Sequence, residues 1–210
     1  MAKRSMMDQF HELKEENPGT VLFFRMGDFY ELFHQDAEVG SEVMGLALTS
    51  RDKNAENPIP MAGFPWHQLE DNLRKMLRAG HKVTVAEQEQ ELREGAKLLE
   101  RVVTRVYTPG SLYEESLIGT DSSALLCALS VAADSVAVSM IDASTGQAWA
   151  TTHNGDGRWA SIHDEVLRWS PSELVLTLSD SKQDEVLHLI SLLDSIIISQ
   201  HAAPAKRSLE

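Results

Sequence analysis

The stretch Val21-Leu22-Phe23-Phe24-Arg25-Met26-Gly27-Asp28-Phe29-Tyr30-Glu31 constrains the fold more than any other part of the chain. Its apolar run reads as a strand ending near Gly27. Before it, Met6, Met7, Phe10 and Leu13 recur at helical spacing and stop at Asn17-Pro18-Gly19, a helix followed by a breaker. The alternation continues with a helix over much of Glu31 to Met44 and a short strand at Leu46 to Thr49. A loop from Ser50 to Pro65 comes next, longer than most connections and therefore suspected of function. Leu69, Leu73, Met76 and Leu77 mark a helix with Gly80 at its stop, and Lys82 to Ala86 is a strand with alternating Val. After the charged segment Gln88 to Glu100, a strand at Val102 to Tyr107 is closed by Pro109-Gly110. Interleaved helices and short strands place this half in the α/β class, with a mixed sheet.

Between Gly110 and Ser123 the periodic pattern gives way to Ser, Gly, Glu and Thr, which marks a boundary. The expected division is a first domain over 1–115, a linker over 116–123 and a second domain over 124–210. In the second, Ala124 to Val131, Val136 to Ile141 and Gln147 to Thr151 read as consecutive strands, with turns at Ala133-Asp134 and Thr145-Gly146. A helix from Arg158 to Trp169, a strand at Leu174 to Leu178, a helix through Leu187 to Leu193 and a strand at Ile196 to Ile198 follow. Three strands, then helix, strand, helix, strand, is the order of a ribonuclease-H-like α/β domain.

Charge limits what the chain can bind by bulk attraction. Its 210 residues carry a formal charge of -13, with 14 basic against 20 acidic residues in 1–115 and 5 against 12 in 116–210. Neither half is a basic surface, so contact with a polyanion has to come from a few locally placed side chains or from a larger parent protein. The single Cys127, inside an apolar run, is read as a small buried hydrophobe in a reducing compartment, with no redox or metal chemistry. The first ten residues are polar and no run approaches 18 apolar residues, so neither secretion nor membrane spanning is suggested and the cytoplasm is the expected location.

The most informative local feature is Arg25 to Glu31. If the backbone stays extended, period-two geometry points Phe29 and Glu31 to one side and Asp28 and Tyr30 to the other. A flat ring beside an acceptor could enter an opened base step, the ring stacking and the carboxylate hydrogen-bonding to a base edge. The same residues also suit a plainer arrangement, with both aromatics in the core and Glu31 in the first turn of a helix, where the dipole favours an acid.

Here the sequence resembles the MutS family of DNA mismatch-repair proteins. Residues 25–33, RMGDFYELF, match the family's mismatch-recognition motif G-x-F-Y-E. Residues 58–67, PIPMAGFPWH, match a second block. Ala86-Glu87-Gln88 and Arg105-Val106-Tyr107-Thr108-Pro109-Gly110 match two more. The likeness is strong over 6–118 and weaker to about residue 180, and nothing specific marks 183–210. It implies a mismatch-recognition domain followed by a partial connector domain. It further implies that Phe29, presented beside Gly27, is an intercalating wedge, and that Glu31 hydrogen-bonds the mispaired base. Met61, Ala62 and Gly63 would lie in the minor groove, with Arg51 and Arg105 as phosphate contacts. Trp66 and His67 are read as loop-packing residues.

The implied partners are mismatched double-stranded DNA, a MutL-type repair protein docking on the connector and, in full-length members, a second copy of the chain, with no membrane. An anion near phosphates is repelled unless it meets a base donor or is protonated, so a raised pKa is expected for Glu31 in the complex. The family's full-length members are ATPases, but no G-x-x-x-x-G-K-[ST] loop is present, and Gly95-Ala96-Lys97 lacks its spacing and hydroxyl. No cofactor and no catalysis are therefore expected on this chain, ATP and Mg belonging to the missing ATPase domain. Two other readings stay open. In one the acidic second half docks a repair partner and the first half binds no DNA by itself. In the other the second half is a metal nuclease using Asp142, with Asp121, Asp164 and Asp180 available, although Asp142 before Ala-Ser-Thr-Gly equally suits a hairpin turn.

Overall fold

A computed structural model describes residues 5–51, 56–89, 98–111, 125–132, 134–177, 186, 191 and 196–201. The chain forms two compact units, Met1–Thr108 and Pro109–Glu210.

The first unit is a six-stranded mixed sheet with helices on both faces. In chain order its elements are α1 (Met6–Glu16), β1 (Thr20–Met26), β2 (Phe29–Phe33), α2 (His34–Met44), β3 (Thr49–Ser50), β4 (Pro60–Pro65), α3 (Leu69–Arg78), β5 (Lys82–Gln88) and β6 (Arg101–Tyr107). The strands lie in the order β3-β4-β2-β1-β5-β6. Only β1 and β5 run parallel, joined by a crossover through α2 and α3; the other neighbours are antiparallel.

The first helix is set by a local signal. α1 opens on a reciprocal capping box, with Asp8 N–H donating to Ser5 Oγ at 3.1 Å and Ser5 N–H to Asp8 Oδ2 at 2.7 Å. Its Met6 and Phe10 pack on Leu22, Phe24, Phe33 and Ala86. On the other face Phe23 meets Phe64 edge-on with ring centroids 4.9 Å apart, beside buried Tyr30, Leu32, Leu73 and Met76. Buried Asp36 ties α1, β1 and α2 together. Its carboxylate accepts from Leu22 N–H at 2.9 Å and from Lys14 Nζ at 2.6 and 2.8 Å.

The expected elements are corrected at three places. Glu31 to Phe33 belong to a strand rather than to the helix, because extended pairing with both β1 and β4 buries Tyr30 and Leu32 on one face and Phe33 on the other. The chain turns into α2 at His34, whose φ of 54° lies in the left-handed region. The loop expected over 50–65 contains β4 at its end, with Pro60 and Pro65 at that strand's two ends, where prolines are tolerated. The strand expected at 46–49 is the two-residue Thr49–Ser50.

The second unit is a five-stranded sheet in the order β11-β10-β7-β8-β9. It comprises β7 (Leu125–Val131), β8 (Ser135–Asp142), β9 (Ala148–Asn154), α4 (Arg158–Trp169), β10 (Glu173–Thr177) and β11 (Ile197–His201). The first three strands form an antiparallel meander, while β10 runs parallel to β7 and β11 parallel to β10. α4 sets Ile162 and Val166 into a core with Cys127, Leu129, Val136, Val138, Met140, Leu174 and Leu176. Burial there pushes the Cys127 thiol up to about 12. The last strand begins one residue later than the expected 196–198 and ends at His201. Most of the helix expected over 187–193 lies outside the described residues.

Candidate nucleic-acid interface

β1 and β2 are joined by the two-residue turn Gly27-Asp28, closed by the Met26–Phe29 pair. Gly27 takes φ 59° while Asp28 has no positive φ, the pattern of a hairpin turn with Gly at its first central position. Phe29 is thus the first residue of β2, at the tip of a tight hairpin. The residue is 46% exposed, in a unit where Phe10, Phe23, Phe24, Phe33 and Phe64 are all buried. Glu31 follows two residues later on the same face, opposite Phe24 of β1 and Gly63 of β4.

This face has two regimes. Its inner part is covered by α1, and Met26 and Met61 pack at the margin of that cluster. Beyond the helix lies an open strip holding Phe29, Glu31 and Gly63. A Cβ on Gly63 would stand 3.0 Å from the Tyr30 carbonyl oxygen and 3.6 Å from Glu31 Cγ, so glycine leaves clear backbone beside the carboxylate. Burial raises the pKa of Glu31, and the charges of Arg51 and Arg101 pull against that rise. Arg51 donates from Nη1 to Met6 Sδ at 3.7 Å and from its backbone N–H to Ile59 O at 2.9 Å.

The residues anticipated from sequence are brought together only in part. Phe29, Glu31, Met61 and Gly63 share one sheet face, Gly27 sits in the turn that leads into Phe29, and the charge of Arg51 acts on Glu31. Ala62 lies between Met61 and Gly63 with its methyl buried on the opposite face, so only its backbone accompanies them. Arg105 pairs with Val85, on the face of Phe23, and its guanidinium lies 4.6 Å over the Tyr107 ring. A β-bulge at Val85/Ala86 accounts for this. Arg101 and Arg105 are four apart and would share a face in a regular strand, but Ala86 pairs with Val103 and Val85 with Arg105, which leaves Thr104 as the extra residue.

The bulge brings Arg101, which sequence reasoning missed, to the Glu31 face. Arg101 is buried with its guanidinium 5.3 Å over the Phe24 ring, and it donates to Arg25 O at 3.2 Å, Leu99 O at 2.7 Å and Gln88 Oε1 at 3.2 Å. No motif marks an arginine at the start of an edge strand. The bulge that aims it shows only in the register.

Behind the hairpin, on the opposite sheet face, a cavity of about 530 Å³ is lined by Arg25, Tyr30, Trp66, His67 and Glu87 among others. The Arg25 guanidinium lies 5.3 Å from the Tyr30 ring and 5.2 Å from the Trp66 ring. It stands 3.9 Å from Glu87, to which the Tyr30 hydroxyl also donates. Burial, ahead of that bond, raises the Tyr30 pKa. Trp66 is half exposed and its backbone N–H donates to Asp28 O at 2.9 Å.

In the second unit Asp142 serves its turn. Its Oδ1 accepts from Ser144 N–H at 2.9 Å, Ser144 Oγ at 2.6 Å and Thr145 N–H at 3.4 Å, bonds that hold its pKa below the usual carboxylate range. Asp164 sits on α4, 84% exposed and 3.5 Å from His163, while Asp121 and Asp180 fall outside the described residues. Among the described residues no three His, Cys, Asp or Glu side chains gather as metal ligands, and no helix is long and apolar enough to cross a membrane.

Residues 4–116 match the family described as MutS domain I. The chain is similar to the DNA mismatch repair protein MutS of Syntrophomonas wolfei, 38% identical over 84% of this chain and 20% of that protein. It is 33% identical to MutS of Desulforamulus reducens over 95% of this chain and 23% of that protein, and 40% identical to MutS of Rhodopirellula baltica over 81% and 21%. The chain spans about a fifth of the length of these curated relatives.

Proposed function

Because the chain belongs to the MutS family of DNA mismatch-repair proteins, we propose that it recognises mispaired or looped-out DNA by driving Phe29 into a weakened base step from the minor groove. The observation that carries this reading is the single exposed phenylalanine at a hairpin tip, with a carboxylate two residues behind it on the same face.

The energetics favour a detector of deformability. Bending a 20 to 30 base-pair site by 40 to 90 degrees costs on the order of 1 to 6 kcal/mol, and unstacking adds about a few kcal/mol per step. One aromatic–base stack contributes roughly 1 to 3 kcal/mol. That offsets the cost where pairing is already weak and falls short on intact duplex. Glu31 sharpens the choice, because an anion at a groove edge is tolerated only when a base donor or a proton meets it, and its raised pKa eases protonation. The backbone of Met61, Ala62 and Gly63 borders the same strip and would line the groove. Arg51 would reach a phosphate beside it, and Arg105 a phosphate beyond the β6 edge.

Residues 1–115 are read as the recognition domain, 116–123 as a linker and 124–210 as part of a ribonuclease-H-like connector. The strand order β9-β8-β7-β10-β11, with three antiparallel strands followed by two parallel ones, supports that last assignment. Docking of a MutL-type partner on the connector, pairing with a second copy, ATP and Mg chemistry in a separate domain and a cytoplasmic location complete the reading.

The test is a salt titration of affinity for a duplex with one mispair and for its matched parent. Preference for the mispair with a shallow salt slope, reflecting few phosphate contacts, is expected. Equal affinities, or no binding even at low salt, would refute the reading and leave the docking role of the acidic second half.

A further inference from the structure

We infer that Gln88 is a positioning residue for Phe29, locking the turn that carries the wedge; this rests on the recognition role proposed above. The backbone ladder between β1 and β5 ends at Phe24–Ala86. Arg25, Met26 and the turn therefore project beyond the parallel pairing, supported on that side by no strand bond. β5 and β6 run on together as far as Gln88–Arg101, and from that extension the Gln88 side chain reaches back. Its Oε1 accepts the Gly27 N–H at 3.2 Å and Arg101 Nη2 at 3.2 Å. Both neighbours are donors, so only the amide oxygen fits between them.

Arg101 is itself fixed, by two backbone carbonyls and the face of Phe24, and so anchors Gln88 in turn. From the opposite face Arg25 Nε donates to Gly27 O at 2.5 Å, its guanidinium held against the Tyr30 and Trp66 rings. Trp66 N–H takes the Asp28 carbonyl. Three polar groups of the two-residue turn thus have partners on neighbouring strands and their extensions. A half-exposed ring has little packing of its own to aim it, and an ordered mount under it spares the conformational freedom that would otherwise be lost on entering the duplex.

The chemistry predicts which substitutions matter. Gln88→Met keeps the length and removes the acceptor, whereas Gln88→Glu offers a carboxylate that serves both donors. Two readouts are taken on the whole chain: amide exchange of Gly27, with the Leu22 N–H held by Asp36 as internal control, and the ratio of affinities for mispaired and matched duplex. The ratio is used because added negative charge lowers both affinities together. In Gln88→Met, Gly27 exchange rises and the ratio falls, each by roughly 2- to 10-fold, the range of one lost hydrogen bond; Gln88→Glu retains both.

Unchanged Gly27 exchange in Gln88→Met, or an equal loss in Gln88→Glu, overturns the inference. So does a Gln88→Met ratio equal to that of a parent chain that does prefer the mispair. A parent chain with no preference overturns the recognition reading, and with it the role of Gln88 in recognition, whatever Gly27 exchange shows.

Discussion

Replacing Phe29 with alanine should separate recognition from folding. Full burial of a phenylalanine stabilises a protein by about 1.5 to 3 kcal/mol, and this residue is 46% exposed, so the stability lost on truncation is about 0.8 to 1.6 kcal/mol. Burial of the Phe23–Phe64–Tyr30 group and of the α1 cluster is unaffected, because Phe29 belongs to neither. Binding behaves differently. Loss of one base–aromatic stack removes roughly 1 to 3 kcal/mol, which converts to about 5- to 150-fold in affinity. The loss falls on the mispaired duplex, since an intact step resists entry of the ring in the parent as well. Fluorescence anisotropy on labelled duplexes differing at one base pair reads the two affinities, and urea unfolding of the same preparation reads stability. Phe29→Leu, which keeps apolar bulk without a flat face, should fall between parent and alanine. If Phe29→Ala binds mispaired and matched duplex in the same ratio as the parent, the wedge argument is wrong. If it instead loses several kcal/mol of stability, the ring's placement at an open strip is wrong.

Three further outcomes follow from the same geometry. Glu31→Gln should stabilise the unit at neutral pH and not in acid. A carboxyl whose folded pKa lies above its unfolded value keeps its full contribution below the ordinary carboxylate range, near 4.3, and loses it as pH rises through the raised value, so removing the charge helps only above that window. Thermal unfolding at both ends of the range checks this, and a gain independent of pH would contradict it. Asp36→Ala should cost about 1 to 3 kcal/mol in urea unfolding, because Leu22 N–H loses its side-chain acceptor inside the core and Lys14 loses its ion pair; a change under about 0.5 kcal/mol would count against that tie. Cys127, fully buried with its thiol pushed up to about 12, should react with a thiol reagent only as fast as the second unit opens, and rapid modification of the native chain would show the core placement to be wrong.

The parts of this fold that announce themselves in sequence are those with a strong local signal. The helix stop at Asn17-Pro18-Gly19, the strand before Gly27 and the strand-rich order of the second half all belong to that group. What escaped was set by pairing. Glu31-Leu32-Phe33 runs directly into a helical pattern, and only two flanking strands decide that it is extended. β4 hides in a loop-like composition because its prolines sit at its ends, where they disturb no essential bond. The strip around Phe29 was legible as alternation along one strand. Its arginine partner was not, because one unpaired residue in β6 sets Arg101 and Arg105, four apart, on opposite faces. Nor could sequence place the Gln88 amide against a turn 61 positions away, since that meeting depends on how far β5 outruns β1.

The extra residue at Thr104 works like a reversing gear between the two ends of β6. Upstream of it, side chains look toward the open strip, and downstream the same parity looks away. Deleting Thr104 would leave a regular strand with the same pairs, Arg101 beside Glu31 and Arg105 on the other face, whereas pairing all seven residues without a bulge would put both guanidinia on one face. Which way a side chain of β6 looks is therefore counted from the bulge, and counting straight through Thr104 would set both cations, or neither, in the neighbourhood of the acid.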